Sequence, residues 1–354
     1  MIPVTRSIFM PTFADDLIAW QRVHGRHDLP WQNTRDAYRI WVSEIMLQQT
    51  QVATVIPYYT RFMSRFPEVR ALAEAPEDDV LAHWSGLGYY SRARNLHAAA
   101  RVLCERHGGV FPRDIEAVTA LPGIGRSTAA AIVVFAYGGR HAILDGNVKR
   151  VLARCFGIRG YAGERAVNAK LWQQAEALLP DGGIEAYTQG LMDLGASVCA
   201  RRAPRCNECP LRHRCVALGT GTIGELPTPK PRREVPHRTT TMLVLQHDGL
   251  VLLEKRPAPG IWGGLWCFPE IATGEDAVQA SAARFGVEAT AGEPMPVVEH
   301  GFTHFKLTIT PQPLHVKHAA PSAREAGRQW WPLADARAAG LPAPVRRILD
   351  GLTG

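Results

Sequence analysis

LPGIGRST, at residues 121–128, is followed directly by the apolar run Ala129–Ile132. A Pro-Gly-x-Gly turn before such a run points backbone N–H groups outward at the start of a helix. These donors and the positive end of the helix dipole suit a phosphate group. The stretch therefore predicts a helix-hairpin-helix that holds a DNA backbone without reading its sequence, with Gly123 and Gly125 at the contact. A plain connection between two helices is the alternative.

The sequence on both sides of this turn has the periodicity of helices. From residue 13 to about residue 198, apolar residues recur at three- and four-residue spacing, and short Gly- and Pro-rich breaks separate the periodic segments. The clearest segments are Tyr38–Gln49, Thr128–Tyr137, Asn147–Phe156 and Ile184–Val198. Because repeated strand alternation is missing, we predict that this part of the chain is all-α.

Four of the seven cysteines lie within seventeen residues, with the spacing C-x6-C-x2-C-x5-C. In a chain that we expect to stay in a reducing compartment, such a cluster more often holds a metal than disulfide bonds. Four thiolates on one loop can surround a zinc ion or a 4Fe–4S cluster, and chemistry alone leaves both open. The predicted ligands are Cys199, Cys206, Cys209 and Cys215.

The composition changes after about residue 218. Residues 219–237 hold several prolines together with Lys230, Arg232 and Arg233, a pattern that predicts an extended basic linker. Beyond it, Thr241–Gln246 alternates with period two and begins a predicted hairpin.

The length of the chain also indicates more than one domain. At 354 residues it is too long for one comfortable core, so we expect separate domains. We predict a helical core over 13–218 with a metal loop at 199–215, the linker over 219–237, and an α+β domain over 238–354.

Composition excludes several classes of protein. Apolar residues make up 46% and charged residues 21%, which is ordinary for a folded chain and excludes disorder as its main state. No uncharged apolar run is long enough to span a bilayer, and Asp15 and Asp16 interrupt the start, so we expect a cytoplasmic protein, nucleoid-associated if bacterial. A formal net charge of +7 fits a nucleic-acid partner.

The hairpin, Asp145 and the four-cysteine loop occur in an order that resembles the endonuclease III superfamily of base-excision DNA glycosylases. Asp145 lies in LDGN, twenty residues after Gly125. The resemblance covers roughly residues 15–216. Within it, three runs are similar to the adenine DNA glycosylase, or MutY, branch of the superfamily. These runs are SEIMLQQTQ at 43–51, GLGYYSR at 86–92 and LDGNVKR at 144–150.

The resemblance implies a fold, a cofactor and a partner. It implies two helical subdomains with the active cleft between them, a 4Fe–4S cluster on the cysteine loop, and a monomer that binds double-stranded DNA containing A·8-oxoguanine or A·G mispairs. The predicted fold class is therefore multidomain: an all-α helix-hairpin-helix glycosylase core with an iron–sulfur loop, plus a C-terminal α+β domain that resembles a Nudix fold.

Two carboxylates suit the chemistry that this resemblance implies. Cutting the bond between adenine and its sugar requires a proton on the base and a negative charge beneath an oxocarbenium-like sugar. Glu44 lies between Val42 and Ile45 on an apolar helix, where burial favours its protonated form, so we predict that it protonates N7 of adenine. Asp145 precedes a helix, and we predict that it stays ionised and stabilises the cation, besides capping that helix.

Ser127 occupies the position at which lyase-competent relatives carry a lysine that forms a Schiff base. The resemblance therefore implies a monofunctional enzyme, which releases the base without efficient strand cleavage. It also assigns further residues to DNA or adenine: wedges into the base stack, walls of the adenine pocket, and the hairpin itself. The residues so assigned are Leu29, Trp31, Gln49, Thr50, Tyr89, Gly123, Gly125, Ser127 and Gln189.

The C-terminal domain lacks the residues of a working Nudix hydrolase, which needs a magnesium-binding R-E-x2-E-E helix after G-x5-E. Gly264 and Glu270 fit the first part, but the window Ala277–Arg284 reads AVQASAAR and contains no carboxylate. We therefore predict a retained fold that recognises rather than hydrolyses. In the MutY family a Phe-Ser-His loop reads 8-oxoguanine, and the matching residues here are Phe302, Thr303 and His304, with a hydroxyl still present.

Three other functions remain open. A thymine-glycol-type glycosylase with lyase activity would need an amine where Ser127 stands. A Nudix pyrophosphatase tethered to DNA would need the missing carboxylates. A non-catalytic iron–sulfur DNA-binding module has no need for both Glu44 and Asp145.

Overall fold

A computed structural model of the protein describes residues 11–231, 234–318 and 327–352. The chain forms two compact units. The first contains residues 11–52 and 102–231, and the second contains residues 53–101 together with the described residues after 233. A helical segment from the N-terminal half therefore belongs to the same unit as the C-terminal domain.

Helices account for most of the chain before residue 220. Helix ends follow from local chemistry: Thr12 forms a capping box with Asp15, and Asp36, Asp114 and Asp145 each accept a backbone N–H at a helix start. The helices are α1 (Phe13–His24), α2 (Ala37–Leu47), α3 (Val52–Arg65), α4 (Val69–Glu74), α5 (Glu77–Trp84), α6 (Ser91–His107), α7 (Ile115–Thr119), α8 (Arg126–Tyr137), α9 (Gly146–Cys155), α10 (Arg165–Ala177), α11 (Ile184–Asp193) and α12 (Val216–Gly219).

The core of the first unit lies where α1, α8, α9 and α11 meet. Leu17, Val134, Val151 and Leu191 are buried there with other apolar side chains. The predicted segment Ile184–Val198 is one α-helix only as far as Asp193, since Leu194–Val198 forms a π-helical turn. That turn delivers the chain to the cysteine loop.

The second unit contains a mixed β-sheet. The strands are β1 (His237–His247), β2 (Leu250–Lys255), β3 (Trp266–Cys267), β4 (Glu270–Ile271), β5 (Glu288–Ala291), β6 (Val298–Gly301), β7 (Lys306–His318) and β8 (Arg328–Pro332). The order is β3-β2-β1-β7-β5, with β1 and β7 parallel; β4 pairs with β1, β6 with β7 and β8 with β2. Helices α13 (Ala277–Phe285), α14 (Leu333–Ala338) and α15 (Ala343–Gly351) accompany the sheet.

This architecture confirms the predicted fold class of a helical core plus an α+β domain. The predicted hairpin joins β1 to β2 through Asp248 and Gly249, both with positive φ, which suits a tight turn between twisted strands.

The predicted linker is partly packed. Leu226 is 2% exposed, and its carbonyl oxygen accepts a hydrogen bond from Nε of Arg154 at 2.8 Å. Thr228 forms a bridge with Tyr161. Prolines and cations predict an extended segment, but they do not reveal that Leu226 is buried against the protein. Arg232 and Arg233 lie outside the described residues. Among the described residues, no helix combines the length and apolar character needed to cross a membrane.

Candidate active site

The first unit contains an open cavity of about 520 Å³, a size typical of ligand sites. Its wall includes Glu44 and three of the side chains assigned to the adenine pocket: Leu29, Trp31 and Gln189. Trp31 is 8% exposed and forms part of the apolar wall. The cavity therefore brings together four of the predicted site residues, drawn from α2, α11 and the segment between α1 and α2.

Glu44 projects from α2, a helix in which Val42 and Ile45 are buried. Glu44 lines the cavity, and the residue is half-buried. Burial, followed by the negative charge of Asp145, raises the pKa of Glu44 to about 7. A carboxyl group with this pKa holds a proton at near-neutral pH and can donate it.

Asp145 begins α9 and caps it, as predicted. Its Oδ1 accepts the N–H of Val148 at 2.8 Å. Burial raises the pKa of Asp145, while the backbone N–H groups of Val148 and Asn147 act in the opposite direction. Asp145 does not line the cavity with Glu44, but its negative charge raises the pKa of Glu44.

The predicted hairpin forms between α7 and α8. Gly123 has a φ of 76°, a conformation that other residues rarely adopt, and Gly125 is the N-cap of α8. The hydroxyl of Ser127 accepts the backbone N–H of Leu144 at 2.9 Å. Ser127 therefore ties the hairpin helix to the residue next to Asp145.

Gln189 is held by a charged network that the sequence did not reveal. Its Nε2 donates to Oδ1 of Asp193 at 2.9 Å, and the same carboxylate binds Arg26 through a 2.6 Å ion pair. Because a carboxylate only accepts hydrogen bonds, the amide of Gln189 is oriented with its nitrogen toward Asp193. Its oxygen is the atom that it can offer to a base.

Gln49 and Thr50 follow α2 in a turn. Gln49 is exposed and has a φ of 59°, an unusual conformation for a residue other than glycine. The N–H of Thr50 donates to the carbonyl oxygen of Leu47. The neighbouring Gln48 donates from Nε2 to the hydroxyl of Thr128 at 3.3 Å, which connects this turn to the hairpin helix.

The four predicted cysteine ligands line one small pocket in the first unit, and none forms a disulfide bond. The buried thiol of Cys155 lines it too. Arg154 donates to Sγ of Cys199 at 3.3 Å and to the carbonyl oxygen of Ala200 at 2.8 Å. Within the described ranges, no three His, Cys, Asp or Glu side chains are gathered to hold a single metal ion.

Arg150 lies between the cysteine loop and the start of α9. Its guanidinium donates to the carbonyl oxygens of Cys199 at 2.7 Å and Gly195 at 2.6 Å, and to Oδ1 of Asn147 at 2.8 Å. Asn147 follows Asp145 by two residues. One arginine thus connects the backbone of the first cysteine to the helix that Asp145 caps.

A second cavity, of about 740 Å³, lies within the second unit. Tyr89, which is 43% exposed, lines it together with Phe302, Thr303 and His304. The last three residues form the tip between β6 and β7. The structure therefore brings the predicted wedge Tyr89 and the predicted recognition residues to one cavity. Trp262 and His300 also line it and were missed, because no motif marks them.

The helix that would carry magnesium ligands in a Nudix hydrolase is α13. Asp276 caps it by accepting the N–H groups of Val278 and Gln279, and no carboxylate lies on the helix itself. Glu270 forms a 3.0 Å ion pair with Arg256. The carboxylates next to this helix are therefore already committed to protein partners.

Two protein-family models match the sequence. The model described as HhH-GPD superfamily base excision DNA repair protein matches residues 42–177, and the NUDIX domain model matches residues 240–351. Curated relatives match over nearly the full chain. The adenine DNA glycosylase of Buchnera aphidicola subsp. Acyrthosiphon pisum is 36% identical, covering 96% of this chain and 97% of that protein. The adenine DNA glycosylase of Mus musculus is 34% identical, and the match covers 90% of this chain and 73% of that protein.

Solved structures match the helical part. A thermostable thymine-DNA glycosylase is 32% identical, with a TM-score of 0.54, and the match covers 59% of this chain and 95% of that chain. A non-covalent endonuclease III–DNA complex is 22% identical, with a TM-score of 0.51, and the match covers 59% of this chain and 94% of that chain. The second likeness shows the fold alone.

Proposed function

The chain belongs to the adenine DNA glycosylase family of base-excision repair enzymes, and from this premise we propose that it removes adenine mispaired with 8-oxoguanine or guanine. The bond hydrolysed is the N-glycosidic bond. One observation carries the proposal: Glu44, whose pKa is raised to about 7 by burial and by the charge of Asp145, lines an open cavity of about 520 Å³.

The two carboxylates divide the reaction between them. Glu44 donates its proton to N7 of adenine, so that the electrons of the breaking bond move into the base and neutral adenine leaves. Asp145 stabilises the positive charge left on the sugar, either by its own charge or by a transient covalent bond. Water then supplies hydroxide to the sugar carbon, and the proton lost from that water restores one carboxyl group.

Adenine must leave the duplex to reach Glu44. Leu29 and Trp31 supply apolar walls for its ring, and the oxygen of Gln189 is oriented to accept a hydrogen bond from its amino group. Gln49 and Tyr89, both exposed and in left-handed backbone conformations, are suited to fill the space left in the base stack. Gly123, Gly125 and the start of α8 supply N–H groups for a phosphate.

We assign a 4Fe–4S cluster to the loop of Cys199, Cys206, Cys209 and Cys215. The donor set fits: four unpaired thiols around one pocket, with a guanidinium from Arg154 hydrogen-bonded to one sulfur. Four thiolates could hold either a zinc ion or a cluster, and membership of the helix-hairpin-helix glycosylase superfamily favours the cluster. When bound, the cluster would supply structural support to this loop, while arginines such as Arg154 supply its positive charge.

The second unit reads the opposite base in this proposal. Phe302, Thr303 and His304 lie at an exposed hairpin tip, where a hydroxyl and an imidazole can contact 8-oxoguanine. The carboxylate-free helix α13 argues against nucleotide hydrolysis by this unit, because magnesium requires oxygen ligands.

Strand breaks in a set of duplexes test the proposal. The protein is incubated with duplexes that carry A opposite 8-oxoguanine, G or T, and breaks are measured before and after alkali. We expect breaks only after alkali, fastest for A·8-oxoguanine, slower for A·G and negligible for A·T. Excision of thymine glycol, or breaks before alkali at the rate of base release, would favour the lyase-type alternative.

A further inference from the structure

Trp262 has an unusual backbone conformation. Its φ is 56°, in the left-handed region that an aromatic residue adopts only at a cost in conformational free energy. The side chain is nonetheless 7% exposed, so it is well packed. Backbone strain at a packed residue that lines a cavity is typical of positions with a functional role.

The loop that carries Trp262 is closed tightly. The N–H of Arg256 donates to the carbonyl oxygen of Leu265 at 2.8 Å, and the N–H of Gly264 donates back to Arg256 at 2.9 Å. At Gly263 a Cβ atom would meet the carbonyl oxygen of Pro257 at 3.0 Å. The backbone on both sides of Trp262 therefore has little freedom, and the indole is presented from a rigid support.

The indole contacts the recognition hairpin. Its ring centre lies 5.5 Å from that of Phe302 and 5.7 Å from that of His300. Phe302 is in turn stacked on Phe305 at 4.3 Å with an interplanar angle of 18°. Phe302 thus lies between the strained loop and the start of β7, while Thr303 and His304 remain exposed beyond it.

We propose that Trp262 is a positioning residue for recognition of 8-oxoguanine, holding Phe302 and so the Thr303–His304 tip in the geometry that distinguishes the damaged base from guanine. This inference rests on the proposed function of the hairpin tip. It adds a residue outside the Phe-Thr-His motif, from a loop about forty residues earlier in the chain. Loss of the indole would leave the tip intact but free to move, so discrimination would fall while chemistry at Glu44 continued.

The test uses full-length protein and single-turnover adenine excision from A·8-oxoguanine and A·G duplexes. Trp262→Ala should lower the ratio of the two rates by about 3- to 10-fold, the range that aromatic contacts of this kind support, with the A·G rate within about twofold of wild type. Trp262→Phe should retain most of the ratio. Trp330→Ala is the matched control, because Trp330 is a half-buried tryptophan of the same unit that does not line the cavity. Trp262→Gly removes the ring and relieves the backbone strain together, and it serves if the alanine variant does not fold.

A double variant separates positioning from general destabilisation. If Trp262 acts through Phe302, then Trp262→Ala combined with Phe302→Ala should have the same ratio as Phe302→Ala alone. The inference would be overturned if the double variant lowered the rate ratio by the product of the two single effects, or if Trp262→Ala left the ratio unchanged. His304→Ala distinguishes failure of the Trp262 inference from failure of the proposed hairpin function. If His304→Ala also leaves the ratio unchanged, the hairpin does not read 8-oxoguanine. If only His304→Ala lowers the ratio, the hairpin reads the base but Trp262 has no part in it.

Discussion

The negative charge of Asp145 raises the pKa of Glu44, adding to the larger effect of burial, and together they bring that pKa to about 7. A second negative charge beside Asp145 is unfavourable, so Glu44 keeps its proton at mildly acidic pH and is about half protonated near pH 7. The pair therefore consists of a proton donor and an anion, which are the two species that depurination requires.

This relationship predicts the pH dependence of excision. The single-turnover rate should fall as pH rises above about 7, because Glu44 then loses the proton that it must donate. It should also fall in acid, where Asp145 gains a proton and can no longer stabilise the sugar cation. A rate that stays constant from about pH 6 to pH 9 would show that titration of Glu44 does not control the chemical step, and a rate that does not fall at more acidic pH would show the same for Asp145.

Ser127 provides a test of monofunctional chemistry. Ser127→Lys places an amine at the hairpin, so borohydride should trap a covalent complex with DNA and some strand cleavage should precede alkali. Ser127→Ala is the control, since both substitutions remove the acceptor for the N–H of Leu144 and should cost about 1–3 kcal/mol of stability. Failure of the lysine variant to form any trapped complex would place residue 127 away from the sugar.

The cysteine pocket predicts a cluster. Anaerobically purified protein should contain about four iron and four sulfide per chain. Cys206→Ser should lower iron content and DNA affinity, whereas Cys104→Ser should not, because Cys104 lies outside the pocket. Stoichiometric zinc in place of iron would contradict the assignment.

The sequence predicts local features better than distant pairings. The turn at Gly123, the cap at Asp145 and the β1–β2 hairpin each follow from residues within a few positions of one another. The ion pair of Arg26 with Asp193 joins residues 167 positions apart, and nothing in either neighbourhood marks it. The contacts of Trp262 with His300 and Phe302 are equally invisible, because only the folded sheet brings these rings together.

The grouping of residues 53–101 with the C-terminal domain affects how recognition is tested. Deleting everything after about residue 233 would remove most of the second unit and leave 53–101 without its packing partner. The point variants His304→Ala and Thr303→Ala test recognition without removing this packing. Each should lower the ratio of the A·8-oxoguanine and A·G rates by a factor that corresponds to about 1–3 kcal/mol, which is typical of a discriminating contact. His315→Ala, at an exposed position of β7, is the control, and an effect of that variant equal to His304→Ala would argue against specific reading.

The most direct test of the account is adenine release from an A·8-oxoguanine duplex by Glu44→Gln under single-turnover conditions. The variant should bind DNA normally and excise adenine about 100- to 10,000-fold more slowly, because glutamine has no proton to donate. Glu185→Gln removes another carboxylate that lines the same cavity, a half-buried one paired with Arg35, and should stay within about threefold of wild type. Excision by Glu44→Gln at the wild-type rate would contradict the account.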